Sequence, residues 1–186
     1  MEAFSDGVIA IIITIMVLEL KVPHGEDLHA LAPLVPAFCG YVMSFVFLGI
    51  YWNNHHHLLH ATTHVNGTIL WANLHLLFWL SLVPVTTAWM GETHLAPIPT
   101  SLYGAVLLFA GLAYWVLQNA IILHQGKDSK LKQAVGQDFK AIMSLGLYAG
   151  AVPLALYHPW SSAAVYAFIA LTWFVPDRRI ESMFRD

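Results

Sequence analysis

Phe4-Ser5-Asp6-Gly7-Val8-Ile9-Ala10-Ile11-Ile12-Ile13-Thr14-Ile15-Met16-Val17-Leu18-Glu19-Leu20 is the stretch that decides the fold. From Val8 onward a helix built from it is apolar on every side, with Thr14 in the middle and Glu19 near the far end. Such a helix is buried among other helices or in lipid. It has no basic leader and no small-residue cleavage site, and it runs into Glu19 and Lys21, so it reads as a retained span rather than a cleaved signal. Five further apolar stretches follow, Leu34 to Tyr51, Ile69 to Met90, Ser101 to Leu123, Phe139 to Tyr157 and Ser161 to Val175. Crossing about 30 Å of hydrocarbon takes about 20 helical residues, and each stretch reaches or approaches that length. Of 186 residues 58% are hydrophobic and 10% charged, against about 25% charged in an ordinary soluble domain. The predicted fold class is therefore an all-α integral membrane protein with six transmembrane helices, residues 1–186 forming one unit without a separate soluble domain.

The joints between the spans carry turn chemistry: Pro23 with Gly25, Asn66 with Gly67, Gly91 with Pro97 and Pro99, Gly126, and His158 with Pro159. Cationic residues set the orientation. Lys127, Lys130, Lys132 and Lys140 lie between spans four and five, and Arg178, Arg179 and Arg185 follow span six, so seven of the eight Lys and Arg residues fall on one side. Both termini are expected in the cytoplasm. Trp52, Trp71, Trp89, Trp160 and Trp173 fall near span ends, where indole favours the interface. A net charge of −3 gives no basic footprint for nucleic acid. The one cysteine, Cys39, builds neither an internal disulfide nor a thiolate metal cage.

An ionisable side chain inside a span needs a partner or a cavity. Asp6 beside Ser5 reads either as a helix N-cap or as part of a buried hydrogen-bond network with His55, His56, Asn73 or His75 as partners. Ile11, Ile15 and Leu18 lie at i, i+4 and i+7 and share a face, with Thr14 adjacent to it. Symmetry copies of that face around an axis would form a hydrophobic constriction flanked by hydroxyls. The cluster His55, His56, His57, His60 and His64 reads first as a hydrated helix extension. Its alternative is a transition-metal face, since His56, His60 and His64 repeat every four residues. No nucleophile elbow, zinc-protease motif, phosphate loop or dinucleotide fingerprint occurs, and neither does the Thr-Val-Gly-Tyr-Gly filter of ordinary potassium channels.

Phe4-Ser5-Asp6-Gly7-Val8, then Ala10-Ile11 and Thr14, then Leu18-Glu19-Leu20, resembles the first helix of the transmembrane protein 175 family, potassium channels of lysosomes and prokaryotes that lack a P-loop filter. The resemblance continues through Trp52-Asn53-Asn54-His55-His56, through Leu70-Trp71-Ala72-Asn73-Leu74 with Ser81-Leu82 and Pro84, and through Gly91-Glu92. Spans four to six match mainly in number, length and topology.

The resemblance implies a single-repeat, prokaryotic-type subunit that assembles as a homotetramer around a central pore lined by the first helix, in the prokaryotic cell membrane. By position, Ile11 matches the main hydrophobic constriction, Ile15 and Leu18 further apolar layers, and Thr14 the neighbouring threonine. Phe4 and Gly7 belong to the signature element. Ser5 and Asp6 match the pair that anchors the pore helix by hydrogen bonds, for which His56 and Asn73 are the expected partners. The implied function is a modestly potassium-selective cation channel with a hydrophobic gate. No cofactor or resident metal is expected, no catalytic residue, and no partners beyond lipid, permeant potassium ions and further copies of the chain. One departure stands: family members usually carry an arginine a few residues before Phe-Ser-Asp, where this sequence has Met1-Glu2-Ala3. Two other readings compete, a membrane metalloenzyme using the His55 to His64 cluster and a proton-coupled transporter using Asp6 and His75.

Overall fold

The structure, a computed structural model, describes residues 1–126, 132 and 139–174. Seven α-helices are described: α1 (Glu2–Ile15), α2 (Val35–His60), α3 (Gly67–Ser81), α4 (Val83–Glu92), α5 (Pro97–Gln125), α6 (Phe139–Ala155) and α7 (Pro159–Phe174). Two 3₁₀ segments, Met16–Glu19 and Leu28–Leu34, extend α1 and lead into α2. Among the described residues three helical runs are long and apolar enough to cross a membrane, Leu28–His60, Gly67–Glu92 and Pro97–Gln125. The chain is a membrane protein.

Local chemistry explains most of the boundaries. The side chain of Asn66 accepts from the Ile69 amide at 2.9 Å and starts α3, and Asp27 does the same for Ala30 at 3.2 Å. Gly126 ends α5 with φ 93°, a left-handed conformation natural to glycine. The third predicted span, Ile69 to Met90, is two helices meeting at Leu82, because Pro84 has no N–H to continue the ladder. The first predicted span, Phe4 to Leu20, tightens into the 3₁₀ turn after Ile15. The second runs on past Tyr51 to His60, so the histidine cluster is helical. It stops there, because the Thr62 amide bonds back to Leu59 O at 2.9 Å and closes a turn. His64 lies beyond that turn, so the expected face of His56, His60 and His64 is reduced to the first two.

The core is packed where helices approach closely. Ser44 of α2 bonds Thr87 of α4 at 2.7 Å and Tyr103 of α5 at 2.9 Å, all three buried. Tyr166 of α7 packs on Tyr103 and Tyr148 with ring centroids 5.8 and 6.1 Å away. This approach requires glycine at position 104, where a Cβ would collide with the Tyr166 hydroxyl. α1 lies against α2, α3 and α4, and a surface ion pair between Lys21 and Glu92 at 2.8 Å ties the chain beyond α1 to the end of α4. Of the cations that carry the orientation argument, Lys132 and Lys140 fall within the described residues, and Lys127, Lys130, Arg178, Arg179 and Arg185 lie outside them.

Candidate functional site

The site is α1 and the side chains that hold it. At about 100° per residue, Ser5, Ile9, Ile12 and Met16 point to one side of α1 and its extension, and Phe4, Gly7, Ile11, Thr14 and Ile15 to the other. The first set is sealed: Ser5 and Ile9 are 0% exposed, Ile12 3% and Met16 2%. The second is open in the single chain, with Phe4 59%, Ile11 60% and Ile15 42% exposed and Gly7 and Thr14 also exposed. The 3₁₀ turn has a purpose for this face. At three residues per turn Leu18 stacks in line with Ile15, and it is 79% exposed. Thr14 Oγ1 donates to the backbone carbonyls of Ala10 and Ile11, each at 3.0 Å. Its proton is thereby committed to the helix, and the oxygen's remaining acceptor capacity belongs to the open face.

Two layers of polar contacts fix the start of α1. In the buried layer His55 Nε2 meets Asn73 Oδ1 at 2.7 Å, Asn73 Nδ2 donates to Ser5 Oγ at 2.9 Å, and Ser5 Oγ donates to Met1 O at 3.2 Å. The directions form a single relay: His55 donates to Asn73, Asn73 to Ser5, and Ser5 to the backbone. His55 is 0% exposed and Asn73 2%. In the outer layer Trp52 Nε1 donates to Asp6 Oδ1 at 3.1 Å, Trp52 stacks on His56, and His56 stacks on His60. Glu2 Oε1 lies 3.1 Å from His56 Nδ1 and 3.7 Å from His60 Nδ1. Glu2 and Asp6 on α1, and Trp52, His56 and His60 on α2, are each four residues apart, which places one row of side chains opposite the other.

Against the expectations from sequence, Asn73 joins Ser5, but the buried histidine is His55 and not His56. One residue turns a helix by about 100°. In α2 that step carries His55 under α1 toward α3, while His56 faces the half-exposed margin beside Glu2. Ser5 and Asp6 do not cap α1, which already begins at Glu2, and they separate into different layers, Ser5 to Asn73 and Asp6 to Trp52. The partner of Asp6 was missed, although Trp52 lies one helical turn before His56 and its indole N–H is a lone donor that seeks an acceptor. His75 accepts from Trp79 Nε1 at 2.9 Å on α3, whereas Asp6 is held by Trp52.

Comparison with known proteins gives the context. Residues 1–84 match the family profile described as the endosomal/lysosomal potassium channel TMEM175. A potassium channel of Chryseobacterium sp. (strain P1-3) is 50% identical over 186 residues, covering 100% of this chain and 97% of that protein. The endosomal/lysosomal proton channel TMEM175 of Mus musculus is 28% identical over 172 residues, covering 83% of this chain and 34% of that protein. The crystal structure of a lysosomal potassium-selective channel TMEM175 homolog from Chamaesiphon minutus superposes with a TM-score of 0.82 at 28% identity, covering 95% of each chain. The enzymatic reading of the histidine cluster gives way to this relationship. Identity of one half along the whole chain, a shared helical framework and a profile match over the elements that build the site lead to one conclusion: the chain belongs to the TMEM175 family of ion channels.

Proposed function

We propose that the protein is a potassium-permeable cation channel of prokaryotic cell membranes, a homotetramer of six-span subunits with α1 lining the pore, α3 and α4 together counting as one span, and both termini in the cytoplasm. The observation that carries the reading is the division of α1 into a sealed face and an open apolar face, with Ile11, Ile15 and Leu18 aligned on the open one. Four copies of that face around an axis make successive apolar rings. Such rings close by dewetting as well as by contact, so a small shift or rotation of α1 suffices to gate them. Thr14 supplies a ring of hydroxyl oxygens beside the Ile11 ring, suited to a partly hydrated cation. Glu19 is exposed at the end of the 3₁₀ turn and, repeated around the axis, raises local cation concentration. Without a carbonyl filter, potassium is preferred over sodium only modestly.

The buried relay of His55, Asn73 and Ser5 is the pivot from which α1 works, holding its first turn on α2 and α3 while the remainder faces the axis. The test is flux from proteoliposomes under potassium, sodium and proton gradients, with wild type beside Ile11→Asn. The reading expects potassium flux above sodium flux and an increase in the variant, since an amide in the ring lowers the cost of wetting it. Flux that conducts equally in both proteins removes Ile11 as the gate.

A further inference from the structure

We propose that Glu2, His56 and His60 form a binding site for a divalent transition cation that clamps the beginning of α1 to α2. Their ligand atoms, one carboxylate oxygen and two imidazole nitrogens, lie within 4.8 Å of one another. Glu2 Oε1 stands 3.1 Å from His56 Nδ1 and 3.7 Å from His60 Nδ1. Bonds of about 2.0–2.1 Å in tetrahedral geometry put neighbouring ligand atoms about 3.3 Å apart, so the two carboxylate distances already bracket what a bound ion requires. The histidines are four residues apart on α2, and their rings stack with centroids 5.6 Å apart. The site closes by rotation of side chains that stand at the surface, His60 being 63% and His56 38% exposed.

The donor set selects the ion. Two imidazoles and one carboxylate suit Zn²⁺ and its neighbours, whereas Mg²⁺ and Ca²⁺ call for oxygen alone. Three protein ligands leave a fourth position for water. The ligands come from two helices, so the ion cross-links them in the outer layer, beside the buried relay. Asp6, the next carboxylate along α1, is engaged by Trp52 and is not part of the set. The assignment rests on the geometry of α1 and α2 and is independent of the channel reading.

The test is equilibrium binding of Zn²⁺ to the purified full chain, freed of any polyhistidine tag, with elemental analysis of protein and dialysate. Four proteins are compared: wild type, Glu2→Gln, His60→Ala and His64→Ala. Elution volume and melting temperature report folding in each. One tight equivalent per chain is expected in wild type. Loss of an outer-shell partner alone costs about 10–100-fold in affinity, so loss of a ligand in Glu2→Gln or His60→Ala should weaken binding at least that much. His64→Ala, outside the set of Glu2, His56 and His60, should bind as wild type does. Absence of a tight equivalent in folded wild type overturns the proposal, and so does equal binding in wild type and Glu2→Gln or an equal loss in His64→Ala. A protein that binds as expected but conducts no ion leaves the site standing and rejects the channel reading.

Discussion

Asn73→Ala removes both bonds that Asn73 makes, 2.7 Å to His55 and 2.9 Å to Ser5, in a place where neither partner reaches water. An orphaned buried polar group costs about 1–3 kcal/mol, which gives about 2–6 kcal/mol for the two. Interhelical side-chain bonds in a membrane protein average about 0.6 kcal/mol each, which sets a floor near 1 kcal/mol. Ser5 keeps its bond to Met1 O, which trims the upper figure, and a loss of about 2–4 kcal/mol is expected. At about 2–4 °C per kcal/mol for a chain of this size, the melting temperature should fall by about 4–16 °C in a detergent melt at fixed scan rate. His55→Ala should cost a similar amount, because it orphans Asn73 Oδ1 and leaves a cavity. His56→Ala, at the half-exposed margin, should stay within about 1 kcal/mol of wild type. A melt in which His56→Ala falls further than His55→Ala, or in which Asn73→Ala stays within about 2 °C of wild type, would refute the assignment of the relay.

Two further outcomes follow from the packing and the surface. Gly104→Ala places a methyl group against the buried Tyr166 ring and should destabilise by about 1–3 kcal/mol, as overpacking does, with partial recovery in the Gly104→Ala, Tyr166→Phe double variant, and chemical denaturation of the three proteins reads it. Lys21 donates a hydrogen bond to Glu92, and that bond, with the carboxylate charge beside it, raises the Lys21 ammonium above its ordinary 10.5. The pair is therefore intact at neutral pH, and on the alkaline side it is lost as pH rises through the raised value. Glu92→Gln should return Lys21 toward its ordinary value in an NMR titration with little change in melting temperature, since both side chains are exposed. A Lys21 titration unmoved by the substitution would break that pairing.

Much of this was legible in the sequence, for identifiable reasons. Helical periodicity is a strong signal in the first span, where Ile11 and Ile15 share a face of α1 and the 3₁₀ turn keeps Leu18 in line with them, and the composition alone requires lipid. Asn73 could be expected because an amide in an apolar span has to satisfy both of its ends. The choice between His55 and His56 could not be read, because adjacent residues differ by about 100° in direction and only the packing of α2 against α1 decides which is buried. The extent of α2 was underestimated because five polar side chains from Asn54 to His60 read as a surface, whereas one side of that stretch, His55, Leu58 and Leu59, is buried. The break at Leu82 was visible as Pro84, but a proline in a span predicts either a kink or a break, and tertiary packing selects between them.

Whether the open face of α1 lines the ion path is decided by cysteine accessibility in a conducting protein. Cys39 is exposed, so the background carries Cys39→Ala, with single cysteines at Ile11, Thr14, Ile15 and Leu18 on the open face and at Ile9, Ile12 and Met16 on the sealed one. A charged thiosulfonate reacts with thiolates that water reaches. The reagent is expected to block potassium flux at the open-face positions and to leave flux unchanged at Ile9, Ile12 and Met16. Block at the sealed positions, or unaltered flux at all four open ones in proteins that conduct, would place the ion path elsewhere.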